Sequence, residues 1–329
     1  MKRLFTIVIF LFSYSFGYCQ ILPSSHGVHH KKPSGGGGGS GTRNFTNCSS
    51  TGINGPTQSN CNTAYASTDL NGEVTVSNGI QEWTVPTTGS YIIEVWAARG
   101  GGIGYSCTHE GVVGSTGCLG ANGARMKGTF NLTQGDILRI AVGQMGEDFS
   151  NQGGGGGGGS FVAKGVNHAG ATALIIAGGG GGGHIHTYRA VIPGQTTESA
   201  LANTSNWSSG ANYGPGEGGS WSGDGADSNL TNPSYGTAQG GKGWGSYLVG
   251  GQHSSGNPHW SLGDGGFGGG GGGSWGGGPG GGYNGGPTVK ASGTGATSGG
   301  SGAGSYNSGS SQDNTVGAWN SHGKVTITW

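Results

Sequence analysis

The chain has 329 residues, of which 83 are glycine, and its positive and negative side chains balance. Disordered segments usually combine a low apolar content with a high net charge, and this chain lacks the charge. It carries nine Trp, eleven Tyr and nine Phe, which favour packing because each aromatic side chain buries a large area. Zero net charge without a basic stripe argues against nucleic-acid binding. Glycines without a strict every-third-residue period argue against a collagen helix.

Residues 1–19 are predicted to be a secretory signal peptide. A Lys-Arg pair at positions 2–3 precedes an apolar run over 4–16, and the small residues Gly17 and Cys19 stand at the expected cleavage spacing. The run is too short for a comfortable membrane span, and an uncleaved N-terminal anchor is the alternative. No later segment is apolar enough to cross a bilayer, so we predict a secreted or surface-exposed extracellular protein.

Residues 20–46 are predicted to be a flexible linker, because Pro, Ser, Lys and Gly dominate them. The histidines of this segment are interpreted as part of a solvated tail rather than as metal ligands (His26, His29, His30). The remaining chain, 47–329, is predicted to form one glycine-rich domain.

Four cysteines remain after the predicted signal peptide, and an even number suits disulfide bonds in an oxidising compartment. The predicted disulfide-forming residues are Cys48, Cys61, Cys107 and Cys118. All three pairings stay open, and the local pairs Cys48–Cys61 and Cys107–Cys118 are the simplest. Zinc is the alternative, but no C-x-x-C spacing supports it.

Eight segments have the β-branched and aromatic composition of strands and are bounded by turn residues. They are 72–76, 80–85, 90–97, 126–132, 136–142, 159–165, 172–179 and 323–329. The "TQG" between the fourth and fifth segments predicts a hairpin connection, and the sixth and seventh predict a strand pair. The last segment is expected to return the chain end to a sheet. No apolar stripe with a 3.6-residue period follows the signal peptide, so we predict no helix there and an all-β fold.

Long glycine runs adjoin these strands directly. One run, 153–159, leads into a predicted strand, another, 178–183, leaves one, and "GGFGGGGGGSWGGGPGGGYNGG" fills 265–286. Such runs form either solvated coil or left-handed polyglycine helices that bond side by side, which only glycine permits. Their fusion to apolar strands favours a bundle of polyglycine-II helices growing out of a sheet. Disordered loops are the alternative, because glycine has the most backbone entropy to lose.

Five longer segments occur in a recognisable order: 79–102, 123–146, 154–162, 173–183 and 265–286. Together with the closing "HGKVTITW", they resemble the glycine-rich extracellular domain of the anaplastic lymphoma kinase and leukocyte tyrosine kinase receptors, over about residues 75–329. The resemblance implies a jelly-roll sandwich like that of tumour necrosis factor, with inserted polyglycine helices. In those receptors this region binds small protein ligands, but no ligand-contacting residue transfers clearly to this sequence. This sequence departs from the receptors in showing no transmembrane helix and no kinase domain.

The sequence predicts no enzyme, no catalytic residue and no cofactor. Residues 154–164 fit a phosphate-loop pattern, which a run of glycines matches by chance, and no H-R-D or D-F-G motif follows. A kinase label would therefore come only from the shared domain.

The metal and glycan signals are weak. His184 with His186 suggests zinc, and Asp224, Asp227 and Asn229 suggest Ca²⁺, but a strand start and a polar turn are the preferred interpretations. Six N-x-[ST] sequons are interpreted as polar turns (Asn44, Asn47, Asn131, Asn203, Asn206, Asn229).

We therefore predict a recognition module that presents a rigid polyglycine surface to an extracellular protein or glycan. The contact candidates are four tryptophans, Trp207, Trp221, Trp244 and Trp260, since Trp dominates binding hot spots. Packing of these side chains in the seam between sandwich and bundle is the equal alternative. A second hypothesis is a structural protein without a specific ligand: a rigid spacer, a matrix component, an adhesin tip or an ice-binding face.

Overall fold

Strands dominate the regular structure of the residues that the structure describes. The computed structural model describes residues 40–102, 119–149, 153–184, 191–202, 214–228, 236–255, 262–288 and 299–329, all within the unit Pro33–Trp329. The strands are β1 (Thr42–Phe45), β2 (Thr75–Ser77), β3 (Ile80–Thr84), β4 (Gly89–Trp96), β5 (Gly123–Leu132), β6 (Ile137–Ala141), β7 (Ser160–Lys164), β8 (Thr172–Ala177), β9 (Tyr306–Asn307), β10 (Thr315–Trp319) and β11 (Lys324–Thr328). One α-helix, α1 (Gln58–Ala64), and a 3-10 turn, Trp244–Ser246, accompany them in these ranges.

The strands form two antiparallel sheets that share one apolar core. The five-stranded sheet has the order β1-β11-β4-β5-β10, and the six-stranded sheet has the order β2-β3-β6-β7-β8-β9. Alternation places one face of each strand inside: in β4, Ile93 and Val95 are fully buried, whereas Ile92 between Tyr91 and Ile93 is 41% exposed. The six-stranded sheet contributes Trp83, Leu138 and Ile175, among others, to the same core. The all-β prediction is confirmed.

The eight predicted strand segments all contain strand residues, but one predicted connection is wrong. The pair of β7 and β8 is confirmed, and β11 lies between β1 and β4 as the returning chain end. The "TQG" turn is not a hairpin, because β5 pairs with β4 and β10 whereas β6 pairs with β3 and β7. Leu132 and Leu138 on either side of the turn enter the same core. The turn therefore carries the chain across the end of that core from one sheet to the other.

Part of the predicted linker 20–46 is a strand. Residues 42–45 pair with β11 over their whole length, from Thr42 opposite Thr328 to Phe45 opposite Val325. Phe45 is fully buried, with its ring centroid 6.0 Å from that of Trp83. The polar and glycine-rich composition concealed this strand because Phe45 is its single large apolar anchor.

The prediction that no helix follows the signal peptide is also wrong. α1 begins after Thr57, whose side chain accepts a hydrogen bond from the Asn60 backbone, while the Asn60 side chain accepts one from the Thr57 N–H. This reciprocal cap satisfies two N–H groups that a helix start leaves free. Cys61 is the buried residue of the helix, so the segment has no apolar stripe that a pattern search can detect.

The disulfide Cys48–Cys61 fastens α1 to the segment that follows β1. One of the two local pairs is thus observed, whereas Cys107 and Cys118 lie outside the described residues. The bond closes a loop with a sequence separation of 13 residues, and both cysteines are 1% exposed.

We expect the double variant Cys48→Ala/Cys61→Ala to lose about 3 kcal/mol of unfolding free energy, because the unfolded chain regains the entropy of an open loop of this length. Urea denaturation at one protein concentration measures the change. The double variant avoids the free thiol that a single substitution leaves. An unfolding free energy equal to that of the unsubstituted protein would contradict the structural role of the bond.

The glycine segments continue from strand ends and bond to one another sideways. Successive N–H groups of 154–159 point to three neighbouring segments in rotation, so the partner recurs every third residue. The pairs are 154 with 183 and 157 with 180, then 155 with 147 and 158 with 144, then 156 with 271 and 159 with 268. The N–H groups of 179–183 repeat this rotation: 179 and 182 donate to 281 and 278, and 180 and 183 donate to 98 and 101. The run 265–286 takes part in the same network rather than standing apart.

Glycine is required in these segments because the neighbouring backbones are so near. A Cβ added at any residue of 154–159 would lie between 1.8 and 2.7 Å from a backbone oxygen of another segment. These segments pack against the outer face of the six-stranded sheet through a second apolar cluster that includes Phe161, Ile176, Trp244, Leu248 and Phe267.

Candidate recognition site

A strained loop presents an exposed aromatic side chain beside the second apolar cluster. Tyr247 and Leu248 follow the 3-10 turn with φ values of 60° and 58°, a left-handed conformation that costs a non-glycine residue about 1–2 kcal/mol. Leu248 is fully buried, and its carbonyl accepts hydrogen bonds from the backbones of Gly268 and Gly269. Tyr247 is 37% exposed. The buried leucine thus holds the loop in a conformation that points the tyrosine ring outward.

His168 supports Tyr247 from behind. Its ring is sandwiched between those of Trp244 and Tyr247, with centroid separations of 4.4 and 4.5 Å. His168 Nε2 lies 2.6 Å from the Trp244 carbonyl oxygen, which only accepts, so Nε2 carries the proton. Burial lowers the pKa of His168, and the hydrogen bond to Trp244 only partly opposes this. The stack is therefore neutral at physiological pH, and Tyr247 has a fixed platform.

A cleft of about 430 Å³ opens next to Tyr247. Polar and apolar side chains both line it: Asn54, Gly55, Pro56, Thr57, Gln58, Val76, Asn78, Gly79, Ser246, Tyr247, Val249 and Phe267. Phe267 is fully buried, and a Cβ at Gly55 or Gly79 would lie within 2.7 Å of its ring. Glycine at both positions therefore leaves the space that the Phe267 ring occupies beneath the cleft.

Preorganisation is the chief property of this cleft. The Gln58 side chain accepts from the Val76 N–H at 2.7 Å and donates to the Val74 carbonyl at 3.0 Å, which fixes α1 to β2. Asn78 has a φ of 49° in the tight turn between β2 and β3. Walls that are already ordered lose little entropy when a partner binds. Amide and hydroxyl groups beside an aromatic face suit a polar partner with an apolar side.

The four predicted contact tryptophans have different positions. Trp244 is 4% exposed and belongs to the second apolar cluster, so it packs in the seam rather than contacting a partner. Trp221 is half-buried, with its ring centroid 4.7 Å from that of Trp244. Trp207 and Trp260 lie outside the described residues. Tyr247 was not among the predicted contact residues, although it is an aromatic residue that directly follows "GWGS".

The candidate metal-binding residues that lie in the described ranges have structural roles. Asp224 Oδ1 accepts the Gly243 N–H at 2.8 Å, and Asp227 Oδ1 accepts the Gly240 N–H at 2.9 Å. Both carboxylates therefore bond to a neighbouring glycine segment. His184 is fully buried and forms a bridge with Gly153.

Several other predicted residues lie outside the described ranges: His26, His29, His30, His186, Asn203, Asn206 and Asn229. Of the remaining sequons, Asn44 accepts a hydrogen bond from Thr326 at 2.8 Å and Asn47 donates to the Ser50 carbonyl at 2.6 Å. Asn131 lies exposed on β5.

The phosphate-loop pattern at 154–164 has no free cradle of N–H groups. All six N–H groups of 154–159 donate to carbonyls of neighbouring segments. Lys164 at the end of β7 forms an ion pair with Asp136, with Nζ 3.3 Å from Oδ2.

Three side chains that the sequence analysis did not select meet at the edge of the glycine network. Glu147, His253 and Asp264 place one potential ligand atom each within 4.8 Å of one another. His253 Nδ1 lies 2.6 Å from Asp264 Oδ1, and that hydrogen bond raises the pKa of His253. Burial alone would raise the pKa of Asp264, but the hydrogen bonds from the His253 ring and backbone hold it below its usual value. A separation of 117 residues between Glu147 and Asp264 hid this cluster from any motif search.

Comparison with known proteins shows a similarity to a receptor. A stretch of 110 residues, 32% of this chain, is 34% identical to the leukocyte tyrosine kinase receptor of Mus musculus. The aligned part is 11% of the receptor and is not its kinase domain, so the two proteins share a domain. The chain thus spans about a tenth of the length of that relative. No protein-family model matches the chain.

No helix in the described ranges has the length and apolar character that crossing a bilayer requires.

Proposed function

We propose that this chain is an extracellular recognition module whose binding surface is the cleft beside Tyr247. The single observation that carries the proposal is the exposed Tyr247 ring, held by a strained backbone and stacked on His168 at the rim of that cleft. Backbone strain of this kind persists only where the surroundings enforce it, and it concentrates at functional sites. The shared domain with a receptor fits a binding role.

The proposal includes a finer architecture. The two sheets would form a jelly-roll like that of tumour necrosis factor, and the glycine segments would be polyglycine-II helices. The recurrence of hydrogen-bond partners every third residue supports the helices, because that conformation has three residues per turn and no internal hydrogen bonds. We further propose that residues 1–19 direct export and that the partner is an extracellular protein or glycan.

A two-stage experiment tests the function. The purified chain is first screened against an array of glycans and a panel of extracellular proteins, and the affinity of each saturable hit is measured by surface plasmon resonance. For the true partner, Tyr247→Ala is expected to cost about 2 kcal/mol, or about thirtyfold in Kd, because Tyr247 is the central aromatic anchor.

Ile92→Ala is the matched control. Ile92 is exposed to a similar degree, 41% against 37% for Tyr247, but it lies on the outer face of the five-stranded sheet. The Kd of the Ile92→Ala variant for the partner should equal that of the unsubstituted protein. Equal Kd values for the two variants would remove the cleft from the binding surface. Absence of any saturable partner would instead favour the structural spacer or adhesin.

A further inference from the structure

The Glu147, His253 and Asp264 side chains, here called the acidic-histidine cluster, come from three separate segments. Glu147 ends the stretch that leaves β6, and His253 and Asp264 belong to two other segments of the glycine network. Their ligand atoms lie within 4.8 Å of one another. The Asp264 and His253 side chains are 26% and 38% exposed, so the cluster lies at the surface with access to solvent.

Backbone hydrogen bonds hold the cluster in position. The Glu147 N–H donates to the Asp264 carbonyl at 2.8 Å, and the Asp264 N–H donates to Glu147 Oε2 at 3.1 Å. The His253 N–H donates to Asp264 Oδ1 at 2.7 Å. The Glu147 and Asp264 side chains are therefore held by neighbouring main chains, and the His253 ring is held by Asp264 Oδ1. Side chains that are already ordered reduce the entropy that a ligand must overcome.

The charge of the cluster is not balanced by lysine or arginine. Within the described ranges, neither Glu147 nor Asp264 forms an ion pair with a Lys or Arg side chain. The nearby Arg99 pairs with Asp148 instead, at 3.2 Å. Two carboxylates and one imidazole thus face each other with an excess of negative charge. A bound cation would neutralise that charge.

We propose that Glu147, His253 and Asp264 bind a divalent cation of the zinc class. One imidazole nitrogen with two carboxylate oxygens is a mixed donor set that suits Zn²⁺, whereas Ca²⁺ and Mg²⁺ prefer oxygen alone. Three protein ligands leave a coordination position open for water or for a group of a partner. The ion would also crosslink three segments of the glycine network, and it would bind the folded chain only.

The test uses the full-length chain, freed of metal with EDTA and titrated with ZnCl₂ in competition with a chromophoric chelator. Glu147→Gln is the main variant, because Gln keeps an oxygen that accepts the Asp264 N–H but loses the charge. Asp69→Asn is the matched control: it also removes one carboxylate charge, and the Asp69 side chain is 82% exposed, pairs with Arg43 and is not one of the three ligands. Any zinc bound by the histidines of the N-terminal segment is common to all variants and cancels in the comparison.

We expect Glu147→Gln to weaken the tightest zinc binding at least about tenfold, while Asp69→Asn leaves it unchanged. Saturating Zn²⁺ should raise the Tm of the unsubstituted protein and of Asp69→Asn, but not that of Glu147→Gln, since a ligand of the native state stabilises it. Far-UV circular dichroism of the metal-free variants confirms that they are folded. Equal zinc affinity in both variants, or no zinc binding by the unsubstituted chain, would overturn the assignment. This outcome is independent of the Tyr247 experiment.

Discussion

Replacing Gly156 by Ala is expected to destabilise the protein by about 3–5 kcal/mol. The added Cβ would lie 1.8 Å from the Pro279 carbonyl oxygen, whereas real Cβ atoms almost never come within 3.0 Å of such an atom. The obstacle is backbone, which cannot rotate away as a flexible side chain can. The segment of Gly156 or the segment of Pro279 must therefore move. The hydrogen bonds from the Gly156 N–H to Gly271 and from the Gly266 N–H to Gly156, both 2.9 Å, would then break. Overpacking and lost hydrogen bonds together account for that cost.

Gly223→Ala is the control for this prediction. Gly223 is exposed, its φ is not positive, and nothing lies within 4 Å of the position a Cβ would take. Alanine restricts the unfolded chain there, so its unfolding free energy should stay the same or rise by up to about 1 kcal/mol. Denaturant unfolding of both variants measures the difference. If Gly156→Ala were as stable as Gly223→Ala, the close lateral packing of the glycine segments would be refuted.

The strands with strict alternation were predictable from the sequence, because burial of one face imposes a period of two. β4 and β11 are such cases, with Ile93 and Val325 fully buried and with β11 in the interior of a sheet. β10 was not predicted, since Gly317 interrupts it and its pairing with β5 is irregular. β9 has two residues, which is too short to show a pattern.

The order of glycine segments in the network could not be predicted, because identical glycines carry no information about register. The register of each glycine segment is set by the strand or the buried side chain that adjoins it. The run 154–159 is placed by β7, 179–183 is placed by β8, and Phe267 positions the third through its burial between Gly55 and Gly79. The sequence predicted that the runs are ordered but left their partners unspecified.

The candidate site was still less predictable. Tyr247 is exposed because two consecutive left-handed residues turn it outward, and single-sequence reasoning assigns such conformations to glycine and asparagine rather than to tyrosine and leucine. Trp residues were predicted as contacts because Trp dominates binding hot spots, but Trp244 is buried and packs in the interior. The acidic-histidine cluster depends on lateral neighbours in the glycine network, so its members become adjacent only once that network is known.

We expect the backbone amides of the glycine network to be protected from hydrogen exchange, because the network opens cooperatively. The N–H groups of Gly156, Gly157, Gly180 and Gly281 all donate to carbonyls of other segments, and their glycines are buried. Exchange then requires opening of the network, so it should be slower than in a free peptide by about 10³-fold or more. Gly72, an exposed turn glycine, should exchange close to the free-peptide rate.

Residue-resolved exchange by NMR or by electron-transfer mass spectrometry measures these rates in one sample, which makes Gly72 an internal reference. The sheets alone do not produce the expected result, because the four protected amides lie outside every strand. If they exchanged as fast as Gly72 while β4 and β7 stayed protected, the glycine segments would be loose loops on a stable sandwich. Tyr247 would then lose its rigid support, because the Leu248 carbonyl that fixes the loop bonds to Gly268 and Gly269. The rigidity of the proposed recognition surface therefore depends on bonds between segments that have no side chains.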